Sequence, residues 1–138
     1  YPQEIYVTVD AIVFHPNKAD KQEILLIQRK NEPFKDQWAL PGGFVDQEED
    51  LLPAARRELQ EETGIIGAEF EQFETVGTPG RDPRGRTVTI AFICSANKNE
   101  QSAKGADDAS KAQWFSISDL PKLAFDHQQI LERAIQKR

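Results

Sequence analysis

The sequence predicts an α/β protein, a sheet covered by helices, and three observations carry that prediction. β-Branched runs recur along the chain, an amphipathic helix interrupts them near the middle, and a second amphipathic stretch comes last. Strands interspersed with helices in this way build sheet layers covered by helices. The 138 residues fit one domain, 1–138, with little room for a second.

The elements follow in order. Residues 4–15 (EIYVTVDAIVFH) alternate and are rich in β-branched side chains, so they read as a strand. Residues 22–29 (QEILLIQR) read as a second strand, apolar enough to be central. Residues 31–44 (NEPFKDQWALPGGF) read as a loop with an extended piece at Trp38–Leu40, ending in a Pro41-Gly42-Gly43 turn. Residues 50–63 (DLLPAARRELQEET) are the clearest helix. Asp50 is its N-cap, Pro53 sits in the first turn where a missing N–H costs little, and Gly64 stops it. Leu52, Ala55 and Leu59 make its apolar stripe. Residues 67–77 and 86–96 read as strands joined by TPGRDPRG, residues 97–111 as a polar loop, and 112–117 as a last strand. Residues 126–137 form the final helix, with Ile130, Leu131, Ala134 and Ile135 as its buried face.

Composition excludes several classes. A net charge of −6 disfavours sequence-independent nucleic-acid binding, which needs basic residues along the phosphates. It also disfavours a polybasic membrane-surface protein, and no apolar run approaches the ~20 residues of a membrane helix. One cysteine, Cys94, rules out an internal disulfide framework and fits a reducing, cytoplasmic setting. The chain contains no Met and so lacks its initiator, which leaves open a removed N-terminal segment.

The acid is unevenly placed. Asp46, Glu48, Glu49, Asp50, Glu58, Glu61 and Glu62 fall in one stretch. Helical residues three or four apart share a face, so Glu58, Glu61 and Glu62 project together beside the apolar stripe. Carboxylates this close repel and raise one another's proton affinity. Two arrangements tolerate that: a solvated face with Arg56 and Arg57 as local partners, or a hard cation among the carboxylates.

The spacing around the helix separates these. Gly43 is followed after five residues by Glu49, and Glu49 after seven by Arg57-Glu58-Leu59. Glu61-Glu62, Gly64 and Ile65 complete GFVDQEEDLLPAARRELQEETGI, residues 43–65. This resembles the Nudix hydrolase signature at every fixed position, and the resemblance extends through WALPGG and the flanking strands. It implies a Nudix fold, an α/β/α sandwich with a mixed central sheet. It also implies a Mg²⁺- or Mn²⁺-dependent hydrolase of a nucleoside diphosphate linked to a further group. By position, Glu58, Glu61, Glu62 and the Gly42 carbonyl would hold metal, Arg57 would orient Glu58, and Glu49 would hold the loop against the helix.

The substrate is narrowed by three further stretches. Pro79, the arginine-rich turn VGTPGRDPRGRTVTIAF and the ending LPKLAFDHQQILERA resemble the ADP-ribose pyrophosphatase branch and its relatives among regulators of NAD metabolism. Arg81, Arg84 and Arg86 are candidates to meet phosphate or ribose, since Arg pairs well with phosphate. Phe34 and Trp38 are candidates to stack on adenine, with core packing open for Trp38. Arg29 either meets substrate or pairs with an acid. Phe125 is expected in the core, Asp126 as the cap of the last helix and His127 as an early-turn surface or packing residue. The general base lies between Glu58, a weak base when metal-bound, and an acid of the late loop, Asp107 or Asp108. Gly105 and its small neighbours would let that loop close as a lid.

The leading expectation is hydrolysis of ADP-ribose to AMP and ribose 5-phosphate. The alternatives are a pyrophosphohydrolase of nucleoside triphosphates or their oxidised forms, and an ADP-ribose-sensing domain of a transcriptional regulator. The expected partner is a small nucleotide, with no nucleic acid and no membrane. Relatives in this branch also suggest a homodimer.

Overall fold

The alternating run at the start becomes β1 (Tyr6–His15), the strand around which the sheet is built. The computed structural model describes residues 4–15, 22–96 and 109–137. After β1 come β2 (Glu23–Arg29), the short β3 (Trp38–Ala39) and β4 (Gly42–Phe44), and helix α1 (Leu51–Thr63). β5 (Glu69–Val76), β6 (Thr87–Ser95), β7 (Ala109–Ser116) and helix α2 (His127–Lys137) follow. The sheet runs β3-β2-β1-β6-β5, with β4 also on β1 and β7 also on β2. It is mixed: β1 and β6 are parallel from Tyr6↔Thr87 to Phe14↔Ser95, and the other strand pairs are antiparallel.

The two central strands do not stay together. β1 and β2 pair at Phe14↔Ile24 and His15↔Glu23. Beyond that, Ile27 and Gln28 of β2 take β3 as partner, and Thr8–Asp10 of β1 take β4. Leu40 and Pro41 cross the gap, pinned where the Ala11 N–H donates to the Pro41 carbonyl at 2.8 Å. The split between β1 and β2 is where the cavity forms.

Pleating sorts the side chains into two layers. Val9, Ala11 and Val13 pack with Ala54, Ala55 and Leu59 of α1. Ile12 and Phe14 pack with Ile130, Leu131 and Ala134 of α2. The sheet is therefore sandwiched between helices, an α/β/α arrangement. Leu59, Ile130 and Leu131 are almost wholly buried, and each contributes roughly 1.5–3 kcal/mol by leaving water.

α1 begins and ends as its sequence indicates. The Asp50 carboxylate accepts the Leu51 N–H, and Gly64 adopts a left-handed φ of 81° while its N–H donates to the Gln60 carbonyl. Three expectations change. Gly42 and Gly43 are not a turn; they open β4 and lie against β1. The last strand starts at Ala109 rather than 112, because its whole length pairs along β2 from Glu23↔Ser116 to Arg29↔Ala109. Ile135 is only half-buried, at the edge of the α2 face.

Candidate functional site

The signature helix buries part of its charged face. Glu58 and Glu62 are 8% and 4% exposed, a costly placement for carboxylates unless each is partnered. Arg57 supplies much of the partnership. Its Nε and Nη2 grip both oxygens of Glu49, at 2.7 and 2.8 Å. Its Nη1 reaches Glu58 Oε1 at 3.1 Å and Glu61 Oε1 at 3.0 Å, and Nη2 also donates to the Phe44 carbonyl at 3.2 Å. The fork thus ties the β4–α1 loop to the helix and aims Glu58 at the same time. The hydrogen bonds from Arg57, joined by the Asp46 N–H, hold the Glu49 carboxyl down to about 2. Reciprocally, the bonds to Glu49, outweighing burial, raise Arg57 above the ordinary guanidinium range.

β4 brings the glycines onto this acid. The bonds Val45 N–H to Val7 O and Ala11 N–H to Pro41 O flank Gly42. In an antiparallel ladder that puts Gly42 opposite Asp10 at a non-hydrogen-bonded position, where the strands approach most closely. A Cβ on Gly42 would strike the Val9 carbonyl, and one on Gly43 would strike the Glu58 carboxylate. The Gly42 N–H, turned away from β1, donates to Glu62 Oε1 at 2.7 Å. Close approach, not turn geometry, is what requires glycine here.

These groups line one cavity of about 410 Å³ in the β1–β2 split. Its lining carries the acids Asp10, Asp46, Glu58, Glu61 and Glu62, with Arg57 bonded among them. It also carries Arg29, Arg81, Arg84, Phe44 and Phe125, with Asp82 bonded to Arg84. The segment before α2 reaches it because the Ala124 N–H donates to the Trp38 carbonyl at 2.8 Å. Phe125 holds a left-handed φ of 54°, an unfavourable backbone for a bulky residue. Edge contact from Phe34 at 4.8 Å and the stacked guanidiniums of Arg29 and Arg84, at 5.0 and 5.1 Å, fix its ring there.

The three arginines differ in how they are held. The Arg81 side chain is 4% exposed and gives Nε and Nη2 to Asp126 at 2.9 and 2.6 Å. Arg84 lies between the rings of Phe44 and Phe125, and Asp82 accepts its Nε, Nη2 and backbone N–H. Burial pushes the Asp82 carboxyl up, but the bonds from Arg84 outweigh it and hold the group below its usual range. Arg29 donates Nε to the Pro33 carbonyl at 2.7 Å.

Of the residues singled out in the sequence, Arg57, Glu58, Glu61, Glu62, Gly42, Arg29, Arg81 and Arg84 line this cavity. Trp38, Phe34 and Arg86 do not. Trp38 packs into the α2-side core, edge-on to Phe115 at 4.8 Å. Phe34 stands behind Phe125. Arg86 is exposed and donates to the Gly77 carbonyl. Gly105, Asp107 and Asp108 lie outside the described residues. Sequence reasoning passed over Asp10, Thr8, Phe44 and Asp82, put Phe125 in the core and made His127 a surface or packing residue, yet all of these line the cavity. An acid inside the apolar run TVDAIVF is the one signal that could have found Asp10.

Among the described residues no three His, Cys, Asp or Glu side chains are grouped closely enough to hold a metal ion as they stand. The donor set nonetheless suits a hard divalent cation. It is all oxygen, its Glu58 and Glu61 are held by an arginine that also has Glu49, and Gly43, lacking a Cβ, makes room for the Glu58 carboxylate against β4.

Fold and site together define a Nudix domain: the NUDIX domain model matches residues 6–134, and the chain belongs to that family. It is 45% identical over 126 residues to an ADP-ribose pyrophosphatase of Methanocaldococcus jannaschii, covering 91% of this chain and 70% of that protein. It is 40% identical over 138 residues to the ADPR responsive transcriptional repressor NtrR of Acinetobacter baylyi, covering 97% of this chain and 54% of the repressor. Among solved structures, the NUDIX domain of Shewanella oneidensis NrtR in complex with ADP ribose superposes with a TM-score of 0.88 at 34% identity, over 98% of this chain and 89% of that one. A bifunctional NMN adenylyltransferase/ADP ribose pyrophosphatase from Francisella tularensis, complexed with AMP and a Mn ion, gives 0.82 at 30% identity, over 98% of this chain and 42% of that one.

Proposed function

We propose that residues 1–138 form a single Nudix hydrolase domain that cleaves ADP-ribose to AMP and ribose 5-phosphate with Mg²⁺ or Mn²⁺. The observation that carries this is the lining of one cavity by carboxylates together with arginines and aromatic rings. A diphosphate joining two ribosyl groups needs both: a cation between it and the acids, and cationic or aromatic partners for its ends. The names of the pyrophosphatase and ADP-ribose-bound relatives support the same substrate.

Glu58, Glu61, Glu62 and the Gly42 carbonyl would hold the cation. Bound there, it supplies charge neutralisation for the diphosphate and a more acidic water. Arg57 keeps Glu58 aimed into the cavity and the loop between β4 and α1 in place. Arg29, Arg81 and Arg84 face the anionic substrate, and Phe44 and Phe125 offer stacking surfaces to its base or ribose. The proton acceptor for the attacking water is Glu58 or the late-loop Asp108.

Cys94 is a buried free thiol, which burial pushes up to about 12, and it supports a cytoplasmic setting. Among the described residues no helix is long and apolar enough to cross a membrane. A homodimer is part of the proposal; the exposed Ile5, Tyr6, Val7 and Phe44 support it, and sedimentation would test it.

The test is a panel of ADP-ribose, NADH, dinucleoside polyphosphates and nucleoside triphosphates with Mg²⁺, scored by AMP or phosphate release. ADP-ribose should lead. Preference for triphosphates would replace the substrate. The likeness to NtrR supports a second reading, an ADP-ribose sensor, which tight binding without turnover would favour.

A further inference from the structure

β1 carries one acid in the middle of its apolar run. Asp10 is 5% exposed, and it is held from two sides. Thr89 Oγ1 of β6 donates to its Oδ2 at 2.6 Å. His127 Nε2, at the start of α2, lies 3.5 Å from its Oδ1.

His127 is itself 5% exposed and does a second thing: its Nδ1 accepts the Leu40 N–H at 3.0 Å. A neutral imidazole that accepts at Nδ1 carries its proton at Nε2, and that proton faces Asp10. Burial keeps the imidazole below its ordinary range, against the pull of Asp10 and Asp126.

The chain therefore buries a carboxylate and an imidazole where two apolar side chains would fill the space at less cost. What they hold is the Leu40–Gly42 crossing. That segment is fixed at four points. The Leu40 N–H is on His127, the Pro41 carbonyl is on Ala11 and the Gly42 N–H is on Glu62. Gly42 also lies against Asp10, where a Cβ would come within 2.5 Å of Oδ1.

We propose that Asp10 and His127 are positioning residues of the cation site: through the Leu40 amide they fix the backbone at Gly42, and with it the carbonyl and the Glu62 carboxylate that hold the ion. This rests on the metal-dependent reading above. Partners one step removed from a ligand typically change metal affinity by ~10–100-fold when removed.

The test uses Mn²⁺ alone, titrated into the nucleotide-free protein and followed by electron paramagnetic resonance. Thermal melts and kcat and KM for ADP-ribose at saturating cation are measured beside it. His127→Leu removes the acceptor from Leu40 and should weaken Mn²⁺ binding by roughly tenfold or more, a larger change than in KM at saturating cation. His127→Asn returns an acceptor near the Nδ1 position and should recover most of the loss. A folded His127→Leu protein that binds Mn²⁺ like wild type overturns the proposal. If that variant does not fold, Asp10→Asn decides: it keeps the volume and should weaken Mn²⁺ binding, and unchanged binding overturns the proposal. A wild-type protein that binds no Mn²⁺ overturns the hydrolase reading and this one together. A wild type that binds Mn²⁺ and turns over ADP-ribose, with unaltered variants, overturns this one alone.

Discussion

Arg57 holds Glu49 by both of its oxygens, at 2.7 and 2.8 Å, and the same guanidinium touches Glu58 and Glu61. One planar group thus joins the loop after β4 to the carboxylates on α1. An ammonium is a point charge and cannot make that fork. Arg57→Lys should therefore keep the charge and lose the alignment. Turnover should fall by roughly 10²-fold, the usual cost of misplacing a reacting group by about an ångström. Steady-state kinetics and hydrogen exchange over residues 43–50 check this, with faster exchange expected in the variant.

Gly43→Ala should fail for a different reason. The backbone at Gly43 is one that any residue can adopt, so there is no conformational penalty, but the new methyl would occupy the place of the Glu58 carboxylate. Overpacking of this kind costs about 1–3 kcal/mol. The carboxylate can swing aside, so the melt should drop modestly while Mn²⁺ affinity and turnover fall sharply. Unchanged Mn²⁺ binding in Gly43→Ala would count against Glu58 as a ligand.

Local signals and long-range ones divide the structure. The helix 51–63 was legible because Asp50, Gly64 and the Leu59 stripe are all within the segment they define. The acids at Glu58, Glu61 and Glu62 were legible for the same reason, together with Gly43, Glu49 and Arg57 at fixed spacings. Gly42-Gly43 misled because a glycine pair reads as a turn, whereas its role depends on β1, far back in the chain. His127 meets Leu40 across 87 positions, and no local pattern announces such a pair. The arginines of RDPRGR looked equivalent, and what separates Arg84 from Arg86 is Asp82 and two rings brought in from β4 and the segment before α2.

Acid should loosen the loop over α1. Glu49 has an ordinary value of 4.5 and is held to about 2 in the folded protein by Arg57. A carboxyl depressed on folding contributes stability that is present above its unfolded value and is lost as pH falls towards the folded one. The contribution should therefore fade between about pH 4.5 and about pH 2. Urea unfolding across that range should show a shallower acid limb for Glu49→Gln than for wild type. Parallel limbs would mean that the Arg57–Glu49 fork contributes nothing to the pH dependence.

Arg84 and Arg86 offer an internal comparison on one turn. Arg84 lines the cavity, set by Asp82 and flanked by Phe44 and Phe125 at 4.7 and 5.1 Å. Arg86 points to the Gly77 carbonyl at the surface. Removing Arg84 outright would strand the buried Asp82 carboxylate, a change that destabilises on its own. Arg84→Lys is the cleaner probe: it keeps a positive charge beside Asp82 and loses the planar contact with rings and phosphate. Its KM for ADP-ribose should rise roughly tenfold, in line with the loss of one charge-assisted bond of about 1.4 kcal/mol. Mn²⁺ affinity should be unaltered, since none of the proposed ion ligands contacts the guanidinium. Arg86→Ala should leave both quantities at wild-type values. If Arg86→Ala raised KM and Arg84→Lys did not, the substrate would have to approach from the Gly77 side, and the basic wall of the cavity would not be its binding surface.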